Sequence, residues 1–293
     1  MHQDRQSISV PFYYTLLVNG VCTIVADFFA YPFFVIWSQQ HSVGNERTPS
    51  FARVVRAIGY SKGFRGFYSG FSVSLISTIP STLLYLIGKD IPLYCLGDSH
   101  LGHFMRGPCA RAFDMIVSAP ATRLMMLQQA SGNPTLTNNF NELSIYNKAK
   151  SIFKKGGILN FYRGAFPCFC AGSLLDGIGF WLQAQVIKLY SEERRTHIAP
   201  QVFATTFSFG MAAFMVTPIE GVVTRLRIAE SNPGALSGKA FYAEAKAIYC
   251  HLGVRGFFRG TPASVAHEAV WFLILPGSEL TNEYVRMAMN QGH

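Results

Sequence analysis

Seven ionisable side chains sit inside long apolar stretches of this sequence: Asp27, Arg111, Asp114, Asp176, Glu220, His267 and Glu268. Such groups are costly away from water and are kept where they pair or face a cavity. The chemistry they offer is recognition of charge and of hydrogen-bonding groups. Bond-making chemistry has no matching signal: there is no nucleophile elbow, no HExxH and no glycine-rich phosphate loop with its lysine. The chain is therefore not expected to be an enzyme. Cys22, Cys95, Cys109, Cys168, Cys170 and Cys250 form no CxxC pair and have no histidine at metal spacing. Small buried thiols are the expected reading for most of them, and neither a metal nor a cofactor is expected.

The elements that must position these groups are long and apolar. Half of the chain is hydrophobic (49%) and only 14% is charged, a membrane-like balance. Six stretches, 11–40, 72–95, 104–129, 166–190, 201–228 and 262–287, approach the length a spanning helix needs. The fifth contains Ala213-Phe-Met-Val-Thr-Pro-Ile-Glu-Gly-Val-Val-Thr-Arg-Leu-Arg227, an apolar helix interrupted by Pro218. Weaker copies are Ala26-Asp-Phe-Phe-Ala-Tyr-Pro32 and Phe113-Asp-Met-Ile-Val-Ser-Ala-Pro120. After each proline, at offsets of 38, 44 and 42 residues, comes Tyr68-Ser-Gly70, Tyr162-Arg-Gly164 or Phe258-Arg-Gly260. The chain is a triplicated unit of roughly a hundred residues. An all-α membrane protein is predicted, with six transmembrane helices in three pseudo-symmetric repeats at 11–100, 101–198 and 199–293 after a polar segment 1–10. Pro32, Pro120 and Pro218 should kink their helices, because proline removes a donor and crowds the preceding turn.

Charge then orients the repeats. Fourteen of the 25 Lys and Arg fall in 41–65, 130–163 and 229–259, the connections inside each repeat. Those connections belong on the side of the membrane that retains positive charge. The net charge of +9 is thus a topology signal, and no nucleic-acid partner is expected. Each connection holds a short amphipathic segment, such as Phe51, Val54, Val55 and Ile58 with Arg53 and Arg56 off the stripe, which reads as an interfacial helix. Met1 to Ser9 is short and polar without the pattern of a cleaved signal, so targeting is expected to use internal information.

With three proline-interrupted helices, three connector helices and three aromatic-x-Gly signatures in order, the sequence resembles the mitochondrial carrier family. The resemblance covers about 10–290 and implies a solute transporter of the inner membrane working as a monomer, with the connectors facing the matrix. In that family an acid and a base after each proline pair between repeats and close the matrix side. Here the acid positions hold Phe34, Thr122 and Glu220, and the base positions Trp37, Met125 and Val223. A closed ring of ion pairs is thereby excluded. Closure is expected to rest on Phe34, Trp37 and Met125, with Glu220 pairing to Arg123, Arg225 or Arg227. On the opposite face the corresponding positions are Asp90 with Leu93, Ala184 with Ile187 and Glu279 with Asn282. Thin gates on both faces imply leaky or one-way movement.

The resemblance also implies substrate contacts seven and eight residues past each signature glycine: Ser77 and Thr78, Ala171 and Gly172, His267 and Glu268. Asp176, one turn beyond Gly172, shares its face, and Asp27, Arg111 and Asp114 complete the candidate site. Plainer roles stand beside these. Asp27 or Asp114 pairs with Arg111 as structural glue, His267 is a neutral cavity histidine, Ser77 and Thr78 bond their own helix carbonyls, and Arg111 snorkels to the helix end. Gly70, Gly164 and Gly260 are implied to start helices whose free amides bind cardiolipin phosphates; tight turns alone would also require them. Two solutes compete. The small pair Ala171-Gly172 is similar to that of nucleotide carriers, where adenine needs room beside the helix. The reduced gates are also similar to carrier-type nucleotide transporters that intracellular bacteria deliver into host mitochondria. ATP or ADP is the solute expected on that basis. The acidic set Asp27, Asp114, Asp176 and Glu268 instead favours a cationic or zwitterionic metabolite such as an amino acid. A carrier-fold scaffold without transport is the third reading.

Overall fold

The computed structural model describes residues 12–42, 50–130, 144–162, 164–195, 197–228 and 238–274. It contains helices α1 (Phe12–Ser42), α2 (Phe51–Lys62), α3 (Phe71–Leu96), α4 (His100–Ala130), α5 (Ile145–Gly156), α6 (Ala165–Lys188), α7 (Glu192–Arg195), α8 (Ile198–Ile228), α9 (Gly238–Leu252) and α10 (Thr261–Ile274). There is no strand among the described residues. The fold is the all-α repeat architecture expected. Helices α1, α4 and α8 each lead into a connector helix (α2, α5, α9), which is followed by a short 3₁₀ turn and a returning helix (α3, α6, α10). Contacts run α3 to α4 to α6 to α8 to α10 and back to α1, so the six long helices close into a ring.

Among the described residues, four helices are long and apolar enough to cross a membrane: Leu17–His41, Phe64–Leu96, Ile158–Lys188 and Ala199–Leu226. Helix α4 spans 31 residues but carries Arg106, Arg111, Asp114 and Arg123, which lowers its hydropathy. The first three of these line the interior of the ring. The remainder of the sixth predicted stretch, beyond Ile274, lies outside the described residues.

Each connector ends in the same way. Gly63, Gly157 and Gly253 take φ of 59°, 64° and 64°, and each amide bonds the carbonyl four residues back, on Gly59, Phe153 and Tyr249. This positive-φ cap stops the helix and turns the chain toward the next span.

The two signatures of a repeat meet in space. Pro32, Pro120 and Pro218 all lie within continuous helix, so each frees the carbonyl four residues earlier. In α1 that carbonyl is on Phe28, and the Tyr68 hydroxyl donates to it at 3.3 Å. In α4 it is on Ile116, and the Tyr162 hydroxyl donates to it at 2.7 Å. The aromatic residue of the second signature thus supplies the donor that the proline of the first removes. Repeat 3 has Phe258 at this place, whose ring instead packs 5.7 Å from that of Phe214.

Helix approach sets the rest. A Cβ on Gly107 would lie 2.2 Å from the Gly177 nitrogen and 2.7 Å from the Asp176 carbonyl carbon, so α4 and α6 touch backbone to backbone where the polar groups gather. Small residues at such crossings are the membrane-protein solution to close packing.

Candidate functional site

The ring encloses a cavity of about 820 Å³. At the connector end it stops at Phe34, Trp37, Met125, Met126 and Val223; at the other end its lining reaches Asp98, Lys188 and Arg195 in the inter-repeat connections. Among the described residues the lining thus ends in apolar side chains toward the connectors and continues into the inter-repeat connections away from them.

The plug is apolar. Phe34 and Trp37 stack with ring centroids 6.0 Å apart, and Trp37, Met125 and Met126 are buried together. Phe34, Trp37 and Met125, on which closure is expected to rest, lie here. The expected partner of Glu220 is not found: among the described residues no cation lies within ion-pair distance of its carboxylate, and Arg225 pairs with Glu244 of the connector helix α9 at 3.3 Å. Five residues along a helix from Glu220, Arg225 points to the far side of the plug. Arg123 is buried elsewhere on α4, and the Arg227 side chain lies outside the described residues. Thr122 donates to Ser118 O within its own helix at 2.6 Å.

Neutral groups that the sequence does not single out tie the repeats together here. Gln39 donates to Gln129 O at 3.5 Å, Gln40 to Arg259 O at 3.4 Å and Gln129 to the Tyr31 hydroxyl at 3.4 Å. His41, 5% exposed, sits over Gly221 and Gly260; a Cβ added to either would come within 2.8 or 2.2 Å of its ring. A run of polar residues at the end of an apolar helix was the available signal. Outside the span, Lys148 of α5 donates to Gln128 Oε1 at 2.8 Å. Burial, with the Lys62 charge second, pushes its ammonium down to about 8.

Above the plug lie the predicted contacts. Asp27, Ser77, Thr78, Arg111, Asp114, Ala171, Gly172, Asp176, His267 and Glu268 all line the cavity, as does Glu220. Arg111 donates to Asp176 Oδ2 from Nε and Nη2 at 3.0 and 2.7 Å, and to Asp114 Oδ2 at 3.4 Å. Ser118 donates to the same Asp114 oxygen at 2.8 Å, and Ser81 to the other. Pinned this way, Arg111 does not snorkel. Its side chain also crosses the face of Gly172, with Nε 3.0 Å from where a Cβ would be. The room expected beside Gly172 is filled by guanidinium.

Asp27 makes no pair with Arg111. Its Oδ2 faces the hydroxyls of Ser74 and Thr78 at 3.1 and 3.0 Å, and Oδ1 accepts from Trp271 Nε1 at 2.9 Å. One carboxylate thereby joins α1, α3 and α10. Ser77 donates within its own helix, to Val73 O or Ser74 O at 3.0 Å. His267 Nδ1 lies 3.1 Å from Glu268 Oε1, and its ring packs 5.8 Å from Phe34.

Between floor and mouth, Tyr85, Phe180, Phe209, Trp271 and Phe272 line the wall; the abundance of aromatics in the sequence does not distinguish them. At the mouth, Asp90 pairs with Arg106 at 3.2 Å, a base on the neighbouring helix α4, where position 93 offers none. Glu279 lies outside the described residues. No group of three His, Cys, Asp or Glu that could hold a metal occurs among the described residues.

The three signature glycines differ. Gly70 and Gly164 take left-handed conformations, φ 89° and 77°, at the starts of α3 and α6. Gly260 does not; its constraint is contact, with a Cβ 2.2 Å from His41 and 3.0 Å from Trp37.

A family model described as mitochondrial carrier protein matches residues 9–91, 97–194 and 194–286. The mitochondrial S-adenosylmethionine carrier protein of Xenopus tropicalis is 22% identical over 271 residues, 89% of this chain and 92% of its own. Mitochondrial magnesium exporter 1 of Drosophila melanogaster is 24% identical over 77% of each chain. The mitochondrial adenyl nucleotide antiporter SLC25A24 of Homo sapiens is 26% identical over 157 residues, 53% of this chain and 31% of its own length.

Proposed function

The chain belongs to the mitochondrial carrier family, and we propose that it moves an adenine nucleotide of the ATP or ADP class across the inner membrane. Members of this family are transporters and not enzymes, and a small-molecule solute is what the enclosed cavity accommodates. The observation that carries the choice of solute is the middle of the cavity, where Tyr85, Phe180, Phe209, Trp271 and Phe272 stand above a floor of carboxylates. Aromatic walls suit a flat base. Carboxylates accept from the exocyclic amine and the ribose hydroxyls, which an adenosine presents together. Relatives with adenine-bearing solutes in their names, the S-adenosylmethionine carrier and the adenyl nucleotide antiporter, favour the same fragment.

A second reading has its own observation. Among the described residues, Asp27, Asp114, Asp176, Glu220 and Glu268 face Arg111 alone among the fixed positive charges of the floor. This excess of acid favours a cationic adenosyl solute such as S-adenosylmethionine. The two readings differ only in the sign of the tail.

The test is uptake of labelled ATP and S-adenosylmethionine into liposomes holding the purified protein, with empty and nucleotide-loaded lumens. Saturable ATP uptake displaced by ADP supports the first reading. Uptake of S-adenosylmethionine without ATP selects the second, and competition by amino acids with neither overturns both. We propose further that movement is not tied to exchange, since the plug at the connector side is built from apolar side chains, with Phe34 and Trp37 stacked and Trp37, Met125 and Met126 buried together. Uptake confined to loaded vesicles would overturn this.

A further inference from the structure

The mouth of the cavity carries cations that neither the family signatures nor the floor requires. Lys89 stands near the end of α3 and Lys188 at the end of α6. Both helices run from floor to mouth, and side chains lean toward a helix N-terminus, so both lysines incline inward along the cavity wall that they line. Neither ammonium is within ion-pair distance of a carboxylate among the described residues. Asp98, an acid of the same rim, is engaged by His103 at 2.5 Å.

Arg106 lies between them on α4 and is held in place. Its Nε donates to Lys89 O at 3.3 Å, its Nη2 to Asp90 Oδ1 at 3.2 Å, and its guanidinium rests 4.4 Å above the Phe180 ring. The facing wall at this height offers Asn19, Gln201 and Thr205 among the described residues, which are neutral. Arg195, which also lines the mouth, donates to Tyr190 O and Lys188 O at 3.0 Å, so the positive charge is gathered over α3, α4 and the end of α6.

Height separates the two lysines from the floor, while Arg106 stands lower, five residues or about 7.5 Å of helix from Arg111. Lys89 is eleven residues beyond Thr78 and Lys188 twelve beyond Asp176, roughly 16–18 Å of helix at 1.5 Å per residue. An anion held at the mouth is thus kept away from the carboxylates below, which would repel it.

We propose that Lys89, Arg106 and Lys188 form a polyphosphate site at the cavity mouth, distinct from the floor, that takes the phosphate tail of the solute. The proposal rests on the nucleotide reading above for its solute, and its chemistry is that of two or three adjacent anionic groups. It gives the solute an orientation, phosphates outward and base inward. It also removes the conflict between a polyanionic cargo and an acidic floor.

Two measurements on the full chain test it. In liposomes, Lys89→Gln and Lys188→Gln should each raise KM for ATP by roughly fivefold, the order an exposed ion pair supplies. The rise should shrink from ATP to ADP to AMP, and Lys89→Arg with Lys188→Arg should restore the original KM. In detergent, inorganic tripolyphosphate should raise the unfolding temperature of the wild type and not that of the double glutamine variant. The second readout does not depend on transport, so a protein that binds tripolyphosphate but moves no ATP would overturn the nucleotide reading and leave the site standing. Unchanged KM values in both glutamine variants, or no shift of the wild type by tripolyphosphate, would overturn the site.

Discussion

Removing one oxygen atom from Tyr162 should loosen helix α4 at Pro120. The proline lacks an amide hydrogen, so Ile116 O has no partner in its own helix, and the Tyr162 hydroxyl donates to it at 2.7 Å. Ile116 is 57% exposed on the outer surface of the ring, where lipid offers no replacement donor. Interhelical hydrogen bonds in membrane proteins contribute about 0.6 kcal/mol on average and up to about 1.7 kcal/mol. The short bond and the carbonyl left behind argue for the upper half, so Tyr162→Phe should cost about 1 kcal/mol. Unfolding in mixed micelles with increasing SDS reads the loss, and a double-mutant cycle isolates its cause. In a Pro120→Ala background the backbone amide returns and Ile116 O regains a helical partner. There Tyr162→Phe should cost nothing beyond a few tenths of a kcal/mol. Equal costs with and without the Pro120→Ala change would refute the idea that the second signature compensates the first. Phe258→Tyr is the mirror experiment, since it places a donor at the repeat that lacks one, and it should stabilise.

Three further outcomes follow from particular contacts. Gly107→Ala places a Cβ 2.2 Å from Gly177 N, against an ordinary contact of 3.4 Å or more, so α4 and α6 must part by over an ångström; a loss of about 1–3 kcal/mol and of solute uptake should appear together. Gly260→Ala pushes His41 and Trp37 out of the plug, and preloaded vesicles should leak solute without a counter-solute, whereas Gly63→Ala, which has open space around it but a positive φ, should lower stability without leak. Lys148 holds its proton less tightly folded, at about 8, than at its ordinary 10.5. Between those values the unfolded chain binds more protons, so stability should rise with pH there, by at most about 1.4 kcal/mol per pH unit, and Lys148→Met should flatten that slope.

What is legible in the sequence is periodic or chemically odd. Three prolines and three aromatic-x-Gly signatures at similar offsets reveal the repeats, and Arg111, Asp114, Asp176, His267 and Glu268 stand out because charge is rare in apolar helices. Pairing is not legible. Asp27 bonds Trp271 across 244 positions, and Arg111 covers Gly172 because the Gly107–Gly177 crossing brings α4 against α6. Such partners depend on the rotation of each helix and on how closely two backbones approach, and residue spacing encodes neither. The gate departs from expectation for a related reason. Charge alone matches Glu220 to an arginine, yet Arg225 lies on the opposite face of α8 and finds Glu244, while Gln39, Gln40 and His41 do the joining.

The chemistry of that joining bears on how the carrier cycles. Ion pairs between repeats hold a gate until a solute supplies enough interaction energy to break them. Here three bonds that join repeats at the connector end among the described residues, from Gln39, Gln40 and Gln129, are neutral and long, at 3.4 to 3.5 Å. The buried atoms Trp37 Nε1, Ser38 Oγ and Thr261 Oγ1 lack a partner among the described residues, and each such atom costs about 1–3 kcal/mol unless water reaches it. Opening toward the connectors hydrates all three and gives up mainly apolar contact among Phe34, Trp37 and Met125. A hydrophobic constriction of this kind controls passage by dewetting, and its barrier falls once a polar solute brings water to it. The solute then need not be exchanged for another to reset the gate, because reclosure is driven by the same expulsion of water in the empty protein. On this argument Trp37→Ser should raise uptake into empty vesicles more than into loaded ones, and equal effects on both would mean that some other contact holds the gate.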